Sequence, residues 1–162
     1  MARPENIALF VLIGLLLAIS LVDIRRRIIP DALNLSLGVA GLCTAWFARG
    51  DLPLASLANA LLYFGIFWLV RQSFYRVTGR VGLGLGDVKL AGASGCWLGL
   101  TSLSAFVGIA SASALLFILL HRIIRTDPPD ERLPFAPFMS LALAASWLIE
   151  TNAMLVEEFP WN

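Results

Sequence analysis

Long apolar runs separated by short polar segments dominate this chain. The first three extend from Ile7 to Val22, from Ala32 to Ala48 and from Leu54 to Val70. Each approaches the length of about 20 residues that an α-helix needs to cross a hydrocarbon core of about 30 Å. The pattern therefore predicts three membrane helices in the first half of the chain. A basic loop is expected after the third, marked by Arg71, Arg76 and Arg80.

The second half contains a longer apolar stretch. From Leu90 to Leu120 the chain carries no charged residue, which is too long for one membrane helix, so two helices are expected with a turn near Gly99 to Ser102. The loop "HRIIRTDPPDER" contains two adjacent prolines, which interrupt helices. A last helix is predicted from about Phe135 to Ile149. The chain, residues 1–162, is thus predicted to form one all-α, polytopic membrane domain with about six transmembrane helices.

Composition supports this interpretation and excludes an ordinary soluble domain. The chain is 59% hydrophobic and 14% charged, with a mean hydropathy of +0.82, far above the average of soluble proteins. The first apolar run does not resemble a signal peptide, because its arginines follow the run instead of preceding it. It is expected to remain as a membrane helix.

The basic residues predict an orientation. Only Arg3 and Arg49 fall on one side of the predicted topology, and the other ten fall on the opposite side. Those ten are Arg25, Arg26, Arg27, Arg71, Arg76, Arg80, Lys89, Arg122, Arg125 and Arg132. Because cytoplasmic loops are enriched in Lys and Arg, the loops after helices one, three and five should face the cytoplasm of a cell inner membrane, with both termini outside.

Two acids lie at predicted helix ends. Asp23 ends the first helix and Asp87, in "VGLGLGDVKL", begins the fourth, so the topology puts both at the same cytoplasmic depth. Two nearby carboxylates suggest the shared proton of aspartic proteases, in which one activates water and the other donates a proton. Glycines at 82, 84 and 86 would let the backbone bend and let a peptide approach Asp87. GxGxxG is absent, so this is not a nucleotide loop.

Other interpretations of these residues remain open. In one alternative, Asp23 and Asp87 each cap a helix or pair with Lys89 or an arginine, and the glycines are a flexible linker. A small proton or cation transporter would use paired acids, although these acids lie at helix ends instead of the bilayer midplane. A non-catalytic assembly factor is the third hypothesis. Asp31, which follows Pro30, is expected to cap the second helix.

The sequence offers few metal ligands. Cys43 and Cys96 do not form a CxxC pair, and His121 is the only histidine, so no metal or other cofactor is expected. Both cysteines are predicted to be small buried side chains in the outer halves of helices two and four. No feature indicates binding to nucleic acid.

Three motifs resemble one known family. "GLGDVKLAGASGCWLG", Gly84 to Gly99, closely resembles the GxGD signature of the type IV prepilin peptidases. "DIRRRIIPDALNLSL", Asp23 to Leu37, looks like that family's first motif, and "LPFAPFMSLALA", Leu133 to Ala144, looks like its third. The resemblance implies an integral-membrane aspartic endopeptidase that removes the short basic leader of prepilins and pseudopilins at the cytoplasmic face.

The same resemblance implies roles for single residues. Asp23 and Asp87 would be the catalytic pair, and Gly84 and Gly86 would shape the active loop. Lys89 would be a motif residue that either biases the pKa of the pair or extends to the interface. The resemblance also implies that Pro134 and Pro137 lie near this face in the sixth helix and break it to admit substrate.

Two departures and one candidate contact complete the comparison with the family. Many members carry an N-terminal domain with paired CxxC motifs, so the chain is expected to be a peptidase-only form without methyltransferase activity. Ala136 stands where the third motif usually has glycine. The expected partners are prepilin or pseudopilin substrates and membrane lipids. Asp127, Asp130 and Glu131 are candidate contacts for the basic leader, or else a solvated loop.

Overall fold

A computed structural model of the protein describes residues 4–50, 52–124 and 133–157. Within these residues the chain forms six α-helices, one 3-10 turn at Leu100–Ser102 and no strand. The helices are α1 (Pro4–Arg26), α2 (Asp31–Arg49), α3 (Leu54–Thr78), α4 (Leu85–Ser94), α5 (Leu103–Ile124) and α6 (Ala136–Glu157). The predicted all-α class and the predicted order of helices are confirmed.

Four of the helices are long and apolar enough to cross a membrane, namely α1, α2, α3 and the segment containing α5. The protein is therefore a polytopic integral membrane protein. The fourth helix differs from its prediction. With 10 residues, α4 is only about 15 Å long, half the thickness of the hydrocarbon core, and does not span a bilayer by itself.

The third helix extends further than its apolar run. Arg71 and Arg76 were expected in a basic loop, but both lie inside α3, which ends at Thr78. Arginine has a high helix propensity and so does not end a helix. The end comes at Gly79, whose φ of 68° lies in the left-handed region that glycine adopts without a steric penalty.

The start of α2 corrects the prediction for Asp31. Pro30 occupies the capping position, and no side chain caps this helix. The Asp31 carboxylate instead accepts a hydrogen bond from the Lys89 ammonium, with Nζ and Oδ1 2.6 Å apart. The Asp31 side chain therefore connects α2 with α4, and it does not cap the backbone amides of its own helix.

The short helix α4 lies at the centre of the bundle. It packs against α2, α3 and α6, and its residues from Leu90 to Ser94 are all buried. Small residues allow this packing: a Cβ added at Gly95 would lie 2.6 Å from the Asn59 carbonyl oxygen on α3. Just after α4, Trp97 Nε1 donates a buried hydrogen bond of 2.9 Å to the Leu37 carbonyl on α2, which holds this segment against α2. Because its neighbours surround it, α4 is screened from lipid.

The two cysteines lie in different environments. Cys96 is buried as predicted, although it lies beyond the end of α4 at Ser94. Cys43 is exposed on α2, so the prediction of a buried side chain is wrong there. Its helix is long and apolar enough to span a membrane. Cysteine behaves as a small apolar side chain, so its exposure to lipid costs little free energy. Both thiols are free.

A second polar cluster closes the connection between α4 and α5. Glu150, in α6, accepts hydrogen bonds from the Gly99 amide at 3.1 and 3.2 Å and from the Ser102 hydroxyl at 2.6 Å. The Tyr63 hydroxyl on α3 donates to the Gly99 carbonyl at 2.9 Å. These contacts connect α3 and α6 to the segment that contains the 3-10 turn.

Candidate active site

Asp23 joins the first motif to the third. It lies near the end of α1, where its side chain is only 6% exposed, and its Oδ2 accepts the Ala136 N–H at 3.0 Å. Ala136 is the first residue of α6, so its amide has no partner within the helix and carries the positive end of the helix dipole. The contact uses the backbone, which alanine and glycine supply equally well, so the substitution in this motif does not disturb it.

Asp87 lies in the first turn of α4 and is partly buried. Its Oδ2 accepts the Gly84 N–H at 3.2 Å, which caps the start of the helix. Each aspartate therefore caps a helix, as one of the alternative interpretations expected. Among the residues that the structure describes, however, neither Oδ1 accepts a hydrogen bond from a protein donor. One oxygen of each carboxylate is thus available for other chemistry.

The two carboxylates act on each other electrostatically. Burial and the charge of Asp23 raise the pKa of Asp87 from 3.8 to about 6, while the hydrogen bond from Gly84 opposes that rise. Two like charges in a poorly solvated site do not both ionise readily, so one proton is retained in mildly acidic solution. The structure therefore places the two aspartates near enough for the charge of Asp23 to act on Asp87.

The glycines before and within α4 are required by close packing. A Cβ at Gly84 would lie 2.8 Å from Asp87 Oδ2, and one at Gly82 would lie 2.6 Å from the Phe74 ring. A Cβ at Gly86 would lie 3.2 Å from Ile29. The space beside each glycine is therefore filled by side chains of the protein, so it is not open to a bound peptide. Little room is left for a side chain at these positions, and at residue 84 a Cβ would displace the Asp87 carboxylate.

Three polar contacts from α2 and α3 hold this loop and the start of α4. Arg71 Nε on α3 donates to the Leu83 carbonyl at 3.0 Å, and Asn34 Nδ2 on α2 donates to the Gly86 carbonyl at 3.3 Å. The third contact is the pair between Lys89 and Asp31, whose side chains are 37% and 74% exposed. Lys89 thus fastens α4 to α2. Asn34 was missed by sequence reasoning, although it is a single amide within the apolar "ALNLSLG" segment.

The two prolines have different positions from those expected. Pro134 lies before α6, and Pro137 is the second residue of that helix. Proline is tolerated in the first turn, because amides there have no partner within the helix. The predicted break in the sixth helix is therefore wrong. Both residues flank Ala136 and so remain next to the Asp23 contact in sequence.

Some predicted residues cannot be placed. The candidate leader contacts Asp127, Asp130 and Glu131 lie outside the described residues. Within the described ranges, no three His, Cys, Asp or Glu side chains are grouped as metal ligands.

Comparison with known proteins agrees with these motifs. The model of the type IV leader peptidase family matches residues 10–119. A protein named prepilin leader peptidase/N-methyltransferase from Pectobacterium carotovorum subsp. carotovorum is 32% identical over 135 residues, which cover 81% of this chain and 47% of that protein. A protein of the same name from Legionella pneumophila is 34% identical over 146 residues, with 86% and 50% covered.

A third relative of that name, from Burkholderia pseudomallei (strain K96243), is 32% identical over 150 residues, covering 93% of this chain and 48% of the relative. The chain spans about half the length of the curated relatives it matches. No solved structure gives a significant match. The family match covers most of the chain and includes both aspartates, and the chain therefore belongs to the type IV leader peptidase family.

Proposed function

We propose that this protein is a membrane aspartic endopeptidase that removes the basic leader of type IV prepilins or pseudopilins, with Asp23 and Asp87 as its catalytic pair. The observation that carries the proposal is the electrostatic coupling of these carboxylates in one site, each with an oxygen outside its cap contact. Membership of a family of leader peptidases supports the substrate class.

The chemistry follows from a pair that holds one proton. The ionised carboxylate takes a proton from water, and the water oxygen attacks the carbonyl carbon of the scissile peptide. The protonated partner donates to the carbonyl oxygen. When the C–N bond breaks, the leaving nitrogen receives a proton, so that a carboxylic acid and an amine are formed. The reaction uses one water and returns the pair to its starting protonation state.

The arrangement of the site suits a substrate that is partly in the membrane. Asp23 ends a helix able to span the bilayer and Asp87 begins a short helix, so the pair lies at helix ends. The distribution of basic residues assigns that end to the cytoplasmic face of the inner membrane. A leader in the aqueous interface, followed by an apolar helix in lipid, would then present its junction to the pair. The proposal concerns proteolysis alone and includes no methyl transfer.

Cleavage by the purified chain in detergent tests the proposal. A prepilin with its basic leader should be cut at the end of the leader, and cleavage should persist in EDTA because the proposed chemistry uses no metal. The control is Asp87→Asn, which keeps the size of the side chain but cannot exchange a proton and should not cleave. If the wild type cuts nothing, the protein is better described as a non-catalytic assembly factor. Reversible loss of activity with EDTA and zinc would exclude the aspartic mechanism.

Reporter fusions test the orientation separately. A reporter after Gly50 should report an external location, and one after Arg76 should report the cytoplasm. The reverse pattern would place the aspartate pair on the outer face.

A further inference from the structure

Asp87 can act in hydrolysis only if the first turn of α4 holds its carboxylate in a fixed position. That turn begins after a glycine-rich loop, and the cap from Asp87 to Gly84 lies within the loop and its own helix. Contacts to other helices must therefore supply the fixed reference. The structure offers Arg71 on α3, and Asp31 and Asn34 on α2.

These three contacts differ in how closely they bear on Asp87. The pair between Lys89 and Asp31 is exposed, so solvent weakens it. Arg71 binds the carbonyl of Leu83, before the helix begins. Asn34 is only 6% exposed and binds the carbonyl of Gly86, whose carbon is bonded directly to the Asp87 nitrogen. Of the three, it is the buried contact nearest to the aspartate along the backbone.

The Asn34 amide has a defined orientation. A carbonyl oxygen accepts hydrogen bonds and cannot donate them, so the Nδ2 group must face Gly86. This leaves Asn34 Oδ1 buried, where it has no hydrogen-bond partner. An unpaired buried acceptor is destabilising, and an apolar side chain would avoid that cost. Asn34 is therefore explained better by what its amide donates to Gly86 than by global stability.

We propose that Asn34 is a positioning residue: its amide fixes the first turn of α4 through the Gly86 carbonyl and so orients the Asp87 carboxylate toward the scissile peptide. The inference rests on the proposed peptidase function, but its structural part is measurable without catalysis. A displaced carboxylate slows the chemical step and leaves the binding of the substrate leader and apolar helix nearly unchanged.

Two variants separate these roles. Asn34→Val removes the donor, whereas Asn34→Gln keeps the amide donor on a side chain that is one methylene longer. We expect Asn34→Val to lower kcat for prepilin cleavage about ten- to hundredfold with KM within about twofold. Asn34→Gln should recover a large part of that loss. Hydrogen exchange of the backbone amides in residues 81–90, measured by mass spectrometry in detergent, should be faster in Asn34→Val than in the wild type.

Asn59 provides a matched control. Its Nδ2 donates to the Leu98 carbonyl at 3.2 Å, which is the same kind of contact in the segment that follows α4. Asn59→Val should leave kcat and the exchange of residues 81–90 near wild type, even if it lowers the melting temperature.

Several results would overturn the inference. These are unchanged exchange in Asn34→Val, equal losses of kcat in Asn34→Val and Asn34→Gln, or a rise in KM with kcat unchanged. If the wild type itself cleaves no prepilin, the proposed function fails, while the exchange measurement still decides whether Asn34 holds the loop.

Discussion

Carboxylates meet backbone amides at two places in this protein, and the two places differ in how completely the carboxylate is bound. Glu150 uses both oxygens, which accept hydrogen bonds from Gly99 and Ser102. Asp23 and Asp87 each accept one backbone N–H on Oδ2. Fourteen residues separate Ala136 from Glu150 on α6 (150 − 136 = 14), about 21 Å at 1.5 Å per residue, so the two clusters are far apart.

The difference indicates two kinds of role. A carboxylate whose oxygens are all engaged holds structure together and has little capacity to exchange protons with a substrate. In the aspartate pair, each carboxylate keeps one oxygen outside its cap contact, and repulsion between the charges raises the pKa. Such a pair retains a proton that can be transferred in a reaction. Hence the Glu150 cluster is expected to support stability, and the aspartate pair is expected to support chemistry.

The largest expected contrast is in activity. Asp23→Asn and Asp87→Asn should each lower prepilin cleavage by at least about a thousandfold, because a shared-proton mechanism fails when either member is lost. The double variant should be hardly worse than either single one. Glu150→Gln keeps the shape of its side chain and should cleave within about threefold of the wild type. Rates are measured in detergent with one prepilin substrate. Near-normal cleavage by either aspartate variant would remove the pair from the mechanism.

Thermal stability should be lowered more by a substitution at Glu150 than by one at Asp87, which is the reverse of the order expected for activity. Glu150→Ala removes the acceptor for Gly99 and Ser102, and hydrogen bonds to charged groups contribute about 1.5–3 kcal/mol each. We expect a loss of about 2 kcal/mol or more, seen as a lower midpoint of thermal unfolding by tryptophan fluorescence. Asp87→Asn should unfold at or above the wild-type temperature at neutral pH, because it removes a carboxylate whose charge is unfavourable in the folded protein. An equal loss in both variants would contradict the distinction between the clusters.

The dependence of stability on pH sharpens the comparison. The pKa of Asp87 is about 6 in the folded protein against 3.8 for a free carboxyl. The folded state therefore binds more protons between these values, so its stability should fall as the pH rises from about 4 to about 6 and then level off. Asp87→Asn should weaken this fall, whereas Glu150→Gln should retain it. The midpoint of thermal unfolding, measured across this pH range, gives the answer.

The smallest effect is expected at the exposed pair between α2 and α4. Lys89→Met and Asp31→Asn each remove an ion pair that is exposed to solvent, and such pairs contribute about 0–1 kcal/mol. Cleavage should stay within about threefold of the wild type in both variants. A loss comparable to that of Asp87→Asn would show that Lys89 acts on the chemistry itself.

Much of the helix pattern could be predicted because apolar runs determine membrane helices. The starts of α2 and α3 fall within a residue of the expected positions. The ends were less certain, since Arg71 and Arg76 continue α3 and only Gly79 ends it. The shortness of α4 was not predicted, because the uncharged run from Leu90 continues past Ser94 through the 3-10 turn into α5, so no charge marks the end of the helix.

The candidate site was predictable in part for the same kind of reason. Asp23 and Asp87 are conspicuous as charges at the ends of apolar runs. Asn34 was not, because one amide among leucines carries no spacing signal until Gly86 is known to lie beside it. The role of Asp31 was misjudged because Asp is a preferred N-cap residue, and its actual partner Lys89 is distant in sequence.

The contact between Asp23 and Ala136 also has a consequence for biosynthesis. These residues are 113 positions apart. At a translation rate of about 5–20 residues per second, α1 is complete roughly 6 to 23 s before its partner amide is made. During that interval the Asp23 carboxylate lacks the amide whose hydrogen bond it accepts in the folded protein. The contact between Asp23 and Ala136 is therefore among the last tertiary contacts that can form during synthesis, because it requires a chain elongated into α6.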